Sequence, residues 1–297
     1  MDLKISTPKK ILLTGSRGFT GKHLISEGGK QNIQIIGIQS DITNLPALQK
    51  EVFEIAPDAV MHCAGISFVP SKDQEAFYRV HALGTGNLLT ALSQLPRKPS
   101  KVLLTSSATV YGNADITPTP ENHPLKPIDH YAISKVAMEE TAKTFFDQLP
   151  IVIARPFNYT GPGQHDNFLI PKLIRHFHNK EPVIELGNLN VEREFNDVST
   201  ICQSYFALLK YGIPSEIYNV GTGKARSLAF VIDTLIKLTN FPIQIKVNPD
   251  YVRQNEIHRM CGDPSKLNTL LATNKIKIDI PELEETLHKM LMAANAT

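Results

Sequence analysis

Tyr131 and Lys135 stand four residues apart in a stretch with helical patterning, so on a helix they share one face. A phenol with an ordinary pKa of about 10 is a sluggish proton-transfer group near neutrality. An ammonium about 4 Å away contributes on the order of 4 kcal/mol at an effective dielectric near 20. That equals about three pKa units, an upper figure because solvent screens it. The spacing therefore predicts a tyrosine whose pKa is lowered for general acid–base work. Ser107 lies 24 residues before Tyr131, just past the apolar run 101–105. Its hydroxyl can donate a second hydrogen bond to the same substrate oxygen. Together these groups suit a carbonyl whose oxygen takes a proton from Tyr131 while a hydride reaches its carbon. Taken alone, tyrosine and lysine at this spacing also describe a surface tyrosine beside a solvated lysine, so the reading depends on what lies upstream.

About 115 residues upstream, Gly15, Gly18 and Gly21 follow the apolar run 10–14 at a spacing of three. Glycine permits a tight turn and lets backbone approach a pyrophosphate, and the helix that follows offers free N–H groups and the positive end of its dipole. Between a buried strand and a helix this is a dinucleotide fingerprint. Phe19 lies inside the loop, as does Arg17, which suits either a 2′-phosphate or a solvated loop position. An acid about 20 residues on usually holds the ribose of NAD. Here the second apolar run ends at 38 and Asp41 follows. Asp41 either holds the ribose hydroxyls or, the preferred reading, faces the adenine edge with Ile42 and opens the next helix. NADP(H) is favoured and NAD(H) remains an alternative.

Short apolar runs at 10–14, 33–38, 59–63, 101–105 and 151–154 alternate with helical patterns at 18–26, 44–54, 74–95 and 130–148. Such alternation implies parallel strands and right-handed crossovers. The expected fold class is α/β: a Rossmann-type doubly wound parallel sheet with a smaller C-terminal α/β substrate lobe. After Arg155 the prolines 156, 162 and 171 break the pattern. Helical patterns follow at 168–179, 198–211, 227–239 and 283–294, with short strands at 183–185 and 192–195. The division expected is a dinucleotide-binding domain over 1–155, rejoined by about 198–220, and a mainly sugar-nucleotide-binding lobe over 156–297. Charge is balanced, 31 basic against 29 acidic residues for a net +2, which argues against nucleic-acid or membrane-surface partners. Three distant cysteines make a disulfide framework or a zinc site unexpected, and no metal is expected. No signal-peptide pattern and no long apolar run occurs, so the expected location is the cytoplasm.

The glycine loop, His62-Cys63-Ala64-Gly65, Ser107 and the Tyr131/Lys135 pair resemble the extended short-chain dehydrogenase/reductases over nearly the whole chain. The stretches 155–164, 168–171, 193–198, 218–223 and 253–256 resemble the nucleotide-sugar branch, and within it the GDP-4-keto-6-deoxy-mannose reductases. The resemblance implies that Ala64, Gly65 and Phe157 join the cofactor site. It implies that Thr109, Asn158, Leu169, Lys172, Arg193, Arg253 and Glu256 meet the sugar nucleotide, with Asn158 and the arginines on the diphosphate and Glu256 on the nucleotide ribose. Arginine forks do suit phosphate oxygens, and a carboxylate suits paired hydroxyls. The implied reaction is reduction of GDP-4-keto-6-deoxy-D-mannose to GDP-D-rhamnose for surface polysaccharide, by a homodimer packed through a four-helix bundle of 74–95 and 130–148. One departure is His81, where the family often has Asn; it is assigned no role.

Two other readings stand beside this one. A C4-epimerase with tightly held NAD shares the motif around Ser107, and a non-catalytic cofactor-sensing regulator shares the fold. A regulator needs no serine, tyrosine and lysine together. A 4,6-dehydratase is disfavoured because Ala108-Thr109 stand where those relatives carry an Asp-Glu pair.

Overall fold

The structure, a computed structural model, describes residues 8–67, 73–252 and 256–295. Five strands and their crossover helices come first: β1 (Lys10–Thr14), α1 (Phe19–Lys30), β2 (Gln34–Gly37), α2 (Leu45–Ile55), β3 (Ala59–His62), α3 (Gln74–Tyr78), α4 (Gly84–Ser93), β4 (Val102–Thr105), α5 (His130–Lys143) and β5 (Ile151–Pro156). These strands are apolar because both faces of a parallel sheet are covered. Leu12, Val60 and Leu104 point into the layer under α2 and α4, while Leu13, Met61 and Leu103 point into the opposite layer. All six are fully buried, each worth about 1.5–3 kcal/mol on leaving water.

Past β5 the chain builds the second lobe: β6 (Tyr159–Thr160), α6 (Leu169–His178), β7 (Val183–Leu186), β8 (Glu192–Glu194) and β9 (Asn196–Asp197). It then returns to the first lobe as α7 (Val198–Tyr211), packed on α1, and β10 (Ile217–Val220), paired with β5. The remaining elements are β11 (Ala225–Ser227), α8 (Leu228–Thr239), β12 (Gln244–Val247), β13 (Arg259–Met260), α9 (Ser265–Thr273) and α10 (Leu283–Ala294). α6, α8 and α10 enclose a separate apolar core with Ile184 and Leu186 of β7. α9 comes back once more and adds Leu267, Leu270 and Leu271 to the first lobe's core.

The main sheet runs β10-β5-β4-β3-β1-β2, all parallel. Strand order reverses about β1, and ligands of such sheets bind outside the carboxyl ends at that point. The glycine loop follows β1 and residues 63–65 follow β3, so both expected cofactor segments meet at the reversal.

Two helices differ from expectation. The stretch 74–95 is not one helix: α3 passes into a π-helical turn, Arg79–Leu83, before α4 begins at Gly84. A Cβ on Gly84 would lie 2.7 Å from Ile42 Cδ1, so glycine lets α4 close onto that side chain. The helix expected over 130–148 ends at Lys143, in turns that lead to Pro150. Asp129 starts it by accepting the Ala132 N–H at 2.7 Å.

Candidate active site

Both lobes line a cavity of about 730 Å³ at the carboxyl ends of the main strands, a size suited to small-molecule ligands. Gly15, Gly18, Phe19, Thr20 and Gly21 form its floor on one side. Gly15 has φ +74°, and a Cβ there would meet the Cys63 carbonyl at 2.8 Å. At Gly21 a Cβ would lie 2.2 Å from the Gly15 oxygen. No side chain caps α1 at Gly18, and no acid lies in its first turn. Its leading N–H groups and positive dipole end therefore face the cavity, a donor set that fits a dinucleotide's pyrophosphate.

Ser107, Tyr131 and Lys135 converge on the same cavity wall. Ser107 caps the short 3₁₀ turn Ala108–Tyr111, and its Oγ accepts from Thr109 Oγ1 at 2.9 Å. Lys135 is buried, and its ammonium donates to the Thr105 carbonyl at 2.9 Å. Burial pushes Lys135 down to about 8, against the pull of Cys63 and Glu139. Burial likewise holds the Tyr131 phenol above its ordinary value; the Ser107 hydroxyl beside it opposes the rise and the Asp129 carboxylate adds to it. The expected lowering is therefore reversed. The ammonium is turned onto the Thr105 carbonyl, and desolvation of the phenol outweighs the Ser107 hydrogen bond. A phenol held protonated is a proton donor, the role that reduction of a carbonyl requires.

His81 is fully buried beside this group, its ring edge-to-face with Tyr131 at 5.6 Å. The Ile66 N–H reaches Nε2 at 3.0 Å, which places the ring proton on Nδ1, 2.8 Å from Ser134 Oγ. Ser134 Oγ in turn donates to the Tyr131 carbonyl at 2.7 Å. Burial takes His81 down to about 2, aided by the Lys135 charge, so the ring stays neutral. It is the structural partner that a lone buried histidine suggests.

Phe157, Asn158, Leu169, Thr109 and Gly65 also line the cavity. At its far end Arg193 Nη2 pairs with Glu256 Oε1 at 2.8 Å, both largely buried. Five other expected residues are not part of the wall: Lys172, Ile42, Ala64, Asp41 and Arg17. Lys172 donates to the Glu185 carbonyl at 2.7 Å and lies over the ring of Tyr251, itself a lining residue, so its ammonium is already engaged beside the wall. Ile42 is buried beneath α4, and the Ala64 N–H is taken by Thr14 Oγ1 at 3.0 Å. Asp41 accepts from both the N–H and the hydroxyl of Thr43 at 2.8 Å. Arg17 is exposed, and Arg253 lies outside the described residues. The sequence reading missed Thr20 and Tyr159, hydrogen-bonded at 2.8 Å across the two lobes; 139 residues apart, they carry no local signal.

Residues 11–221 match the NAD dependent epimerase/dehydratase family. The chain belongs to that family. Its GxxGxxG loop and YxxxK pair thus sit in an extended short-chain dehydrogenase/reductase. GDP-6-deoxy-D-talose 4-dehydrogenase of Aggregatibacter actinomycetemcomitans is 34% identical over 285 residues, covering 94% of this chain and 97% of that protein. GDP-6-deoxy-D-mannose reductase of Pseudomonas aeruginosa is 29% identical over 275 residues, covering 88% and 90%. The solved structure of RMD from Pseudomonas aeruginosa complexed with NADPH superimposes with a TM-score of 0.87 at 27% identity, covering 97% of this chain and 99% of that one. Among the described residues no helix is long and apolar enough to cross a membrane.

Proposed function

We propose that this family member reduces the 4-keto group of a GDP-linked 4-keto-6-deoxy hexose, GDP-4-keto-6-deoxy-D-mannose, with NADPH as the favoured reductant, in the cytoplasm. One observation carries the reading. Ser107, Tyr131 and Lys135 meet at the cavity wall, and the carboxylates among its described lining residues are committed elsewhere. Asp129 caps α5, and Glu256 is paired with Arg193. Proton donation is provided for; the extra acid and base of an elimination are not. The relatives add the substrate class, since both named sugars are GDP-linked 6-deoxy hexoses.

A bound nicotinamide dinucleotide supplies the hydride that reaches the carbonyl carbon. Tyr131 gives its phenolic proton to the carbonyl oxygen, completing the alcohol. Ser107 holds that oxygen by a second hydrogen bond. Lys135, one turn along the same face, stabilises the phenolate that Tyr131 becomes. The uncapped start of α1 holds the cofactor's pyrophosphate, and Arg193 meets the sugar diphosphate. The two relatives' sugars are epimers at C4, the products of attack on opposite faces of one ketone. GDP-D-rhamnose is the product of the mannose-type face, and the C4 configuration is read directly by NMR of the product.

The test is NADPH oxidation on adding GDP-4-keto-6-deoxy-D-mannose. The expected result is one NADPH consumed per alcohol formed, and Tyr131→Phe should lower kcat by about 10²–10⁴-fold. Interconversion of C4 epimers with no net loss of NADPH would overturn the reductase reading in favour of an epimerase. The homodimer belongs to the same proposal. Leu83 and Ile133 are large exposed apolar side chains on the segments expected to pair, 65% and 40% exposed.

A further inference from the structure

α5 carries a second charged residue on the Tyr131 and Lys135 face. Glu139 follows Lys135 by four, so the three recur at i, i+4 and i+8. The end of β4 answers them residue by residue. The Thr105 carbonyl accepts from Lys135, the Ser106 hydroxyl donates to Glu139 Oε1 at 2.5 Å, and the Ser107 hydroxyl faces Tyr131. Glu139 is fully buried and is gripped by the Arg155 fork at the end of β5. Nε reaches Oε1 at 2.9 Å and Nη2 reaches Oε2 at 2.6 Å.

The bonds continue beyond the pair. Arg155 Nη1 donates to the Tyr111 hydroxyl at 2.9 Å, which donates to Asn219 Oδ1 at 2.7 Å. Asn219 Nδ2 donates to the Thr119 carbonyl at 2.8 Å, and that carbonyl also takes the Asp263 N–H at 2.9 Å. Next to Asp263, the Gly262 N–H donates to Glu194 Oε1 at 2.6 Å. Glu194 adjoins Arg193 on β8, so one buried polar chain runs from the strand end beside Ser107 to the strand that carries the far-end cation.

A buried ion pair is weak as a source of stability, because desolvation consumes most of its Coulomb attraction and an apolar pair of equal volume often does as well. What it does supply is geometry: a planar fork on a carboxylate fixes both partners' orientation. Glu139, Arg155, Tyr111, Asn219 and Glu194 are not among the residues that line the substrate space, and of the groups that hold Glu139 only Ser106 reaches the wall; Ser107, Tyr131 and Lys135 suffice there for the chemistry. We propose that Glu139 and Arg155 are positioning residues, which set the register of the α5 stripe against residues 105–107 and tie that register to the second lobe. The inference rests on the reductase reading above. A displacement of about 1 Å in such a constellation can cost on the order of 100-fold in rate.

Two variants test it in the full-length enzyme. Ser106→Ala deletes one hydrogen bond to Glu139 and leaves the ion pair whole, so folding is spared. Its kcat should fall about tenfold, while KM for the sugar nucleotide and Kd for NADPH stay within about threefold. Glu139→Met with Arg155→Met removes both charges at similar volume, so no lone charge stays buried. It should fold with native circular dichroism and lose about 100-fold in kcat with the same unchanged KM. If the double variant does not fold, Ser106→Ala decides alone. Wild-type-like kcat in the folded variants overturns the proposal, as does a rise in KM at constant kcat. A wild type that interconverts C4 epimers without net NADPH loss overturns the reductase reading instead, and the same variants are then read against that activity.

Discussion

Lys135 allows burial and chemistry to be measured on one side chain. Burial takes its pKa from an ordinary 10.5 to about 8. At 1.36 kcal/mol per tenfold change, that is about 3 kcal/mol of destabilisation when the amine is charged. The folded state binds this proton less tightly than the unfolded chain. The cost is therefore present in full below about pH 8 and is relieved as pH rises through the window from 8 to 10.5. Lys135→Met keeps the length of the stem and lacks the titration. Other groups largely cancel in the difference between the two proteins. Wild type should thus gain about 2 kcal/mol on the Met variant between pH 7 and about 9.5, measured by urea denaturation at each pH. In the free enzyme, kcat/KM for reduction should fall above about pH 8 as the ammonium is lost. The Met variant should lack that limb and turn over about 10²–10⁴-fold more slowly. A stability gap that does not change with pH would refute the buried-ammonium account.

Gly21→Ala places a Cβ 2.2 Å from the Gly15 oxygen, so the turn must shift. Stability should fall by about 1–3 kcal/mol in thermal or urea melts, and NADPH affinity should drop with it. Arg17→Ala should weaken NADPH by about tenfold and leave NADH unchanged in fluorescence titration; an equal loss for both would place Arg17 away from the 2′-phosphate. Leu83→Asp should convert a dimer of 33.0 kDa chains to monomers in sedimentation, and an unaltered mass would move the interface elsewhere.

The first lobe was legible because β1, β3, β4 and β5 are buried on both faces, with only the edge strand β2 half-exposed. A strand in that setting must be a short unbroken apolar run, and the turns between such runs show in the glycines and polar residues. The glycine loop was legible for a stricter reason: at Gly15 the left-handed φ, and at Gly21 the 2.2 Å approach, exclude any side chain. The tyrosine and lysine were legible as a pair because helical spacing alone puts them on one face. Their acidity was not. The phenol's pKa depends on where the ammonium points, and it points at a carbonyl of β4, thirty residues away along the chain. The break at 79–83 was hidden as well, because a π turn keeps nearly the same apolar pattern as the helices on either side.

The end of β2 shows why cofactor preference is harder to read than fold. A ribose-binding acid is sought there by its distance from the glycine loop, and the chain offers Asp41 two residues late. Its carboxylate is occupied by Thr43, in a turn that precedes α2. A second carboxylate reaches the same place from α2, where Glu51 accepts the N–H groups of Gln39 and Ser40, each at 2.8 Å. Both acids near the strand end thus already accept from the chain's own backbone and hydroxyl donors, Asp41 through Oδ1 and Glu51 through both oxygens. Arg17, exposed on the phosphate loop, carries no such commitment among the described hydrogen bonds and ion pairs. An uncommitted cation on the phosphate loop suits a 2′-phosphate, while Asp41 offers a 2′-hydroxyl only its second oxygen. The distinction comes from which side chains are already hydrogen-bonded, a property that linear spacing does not contain.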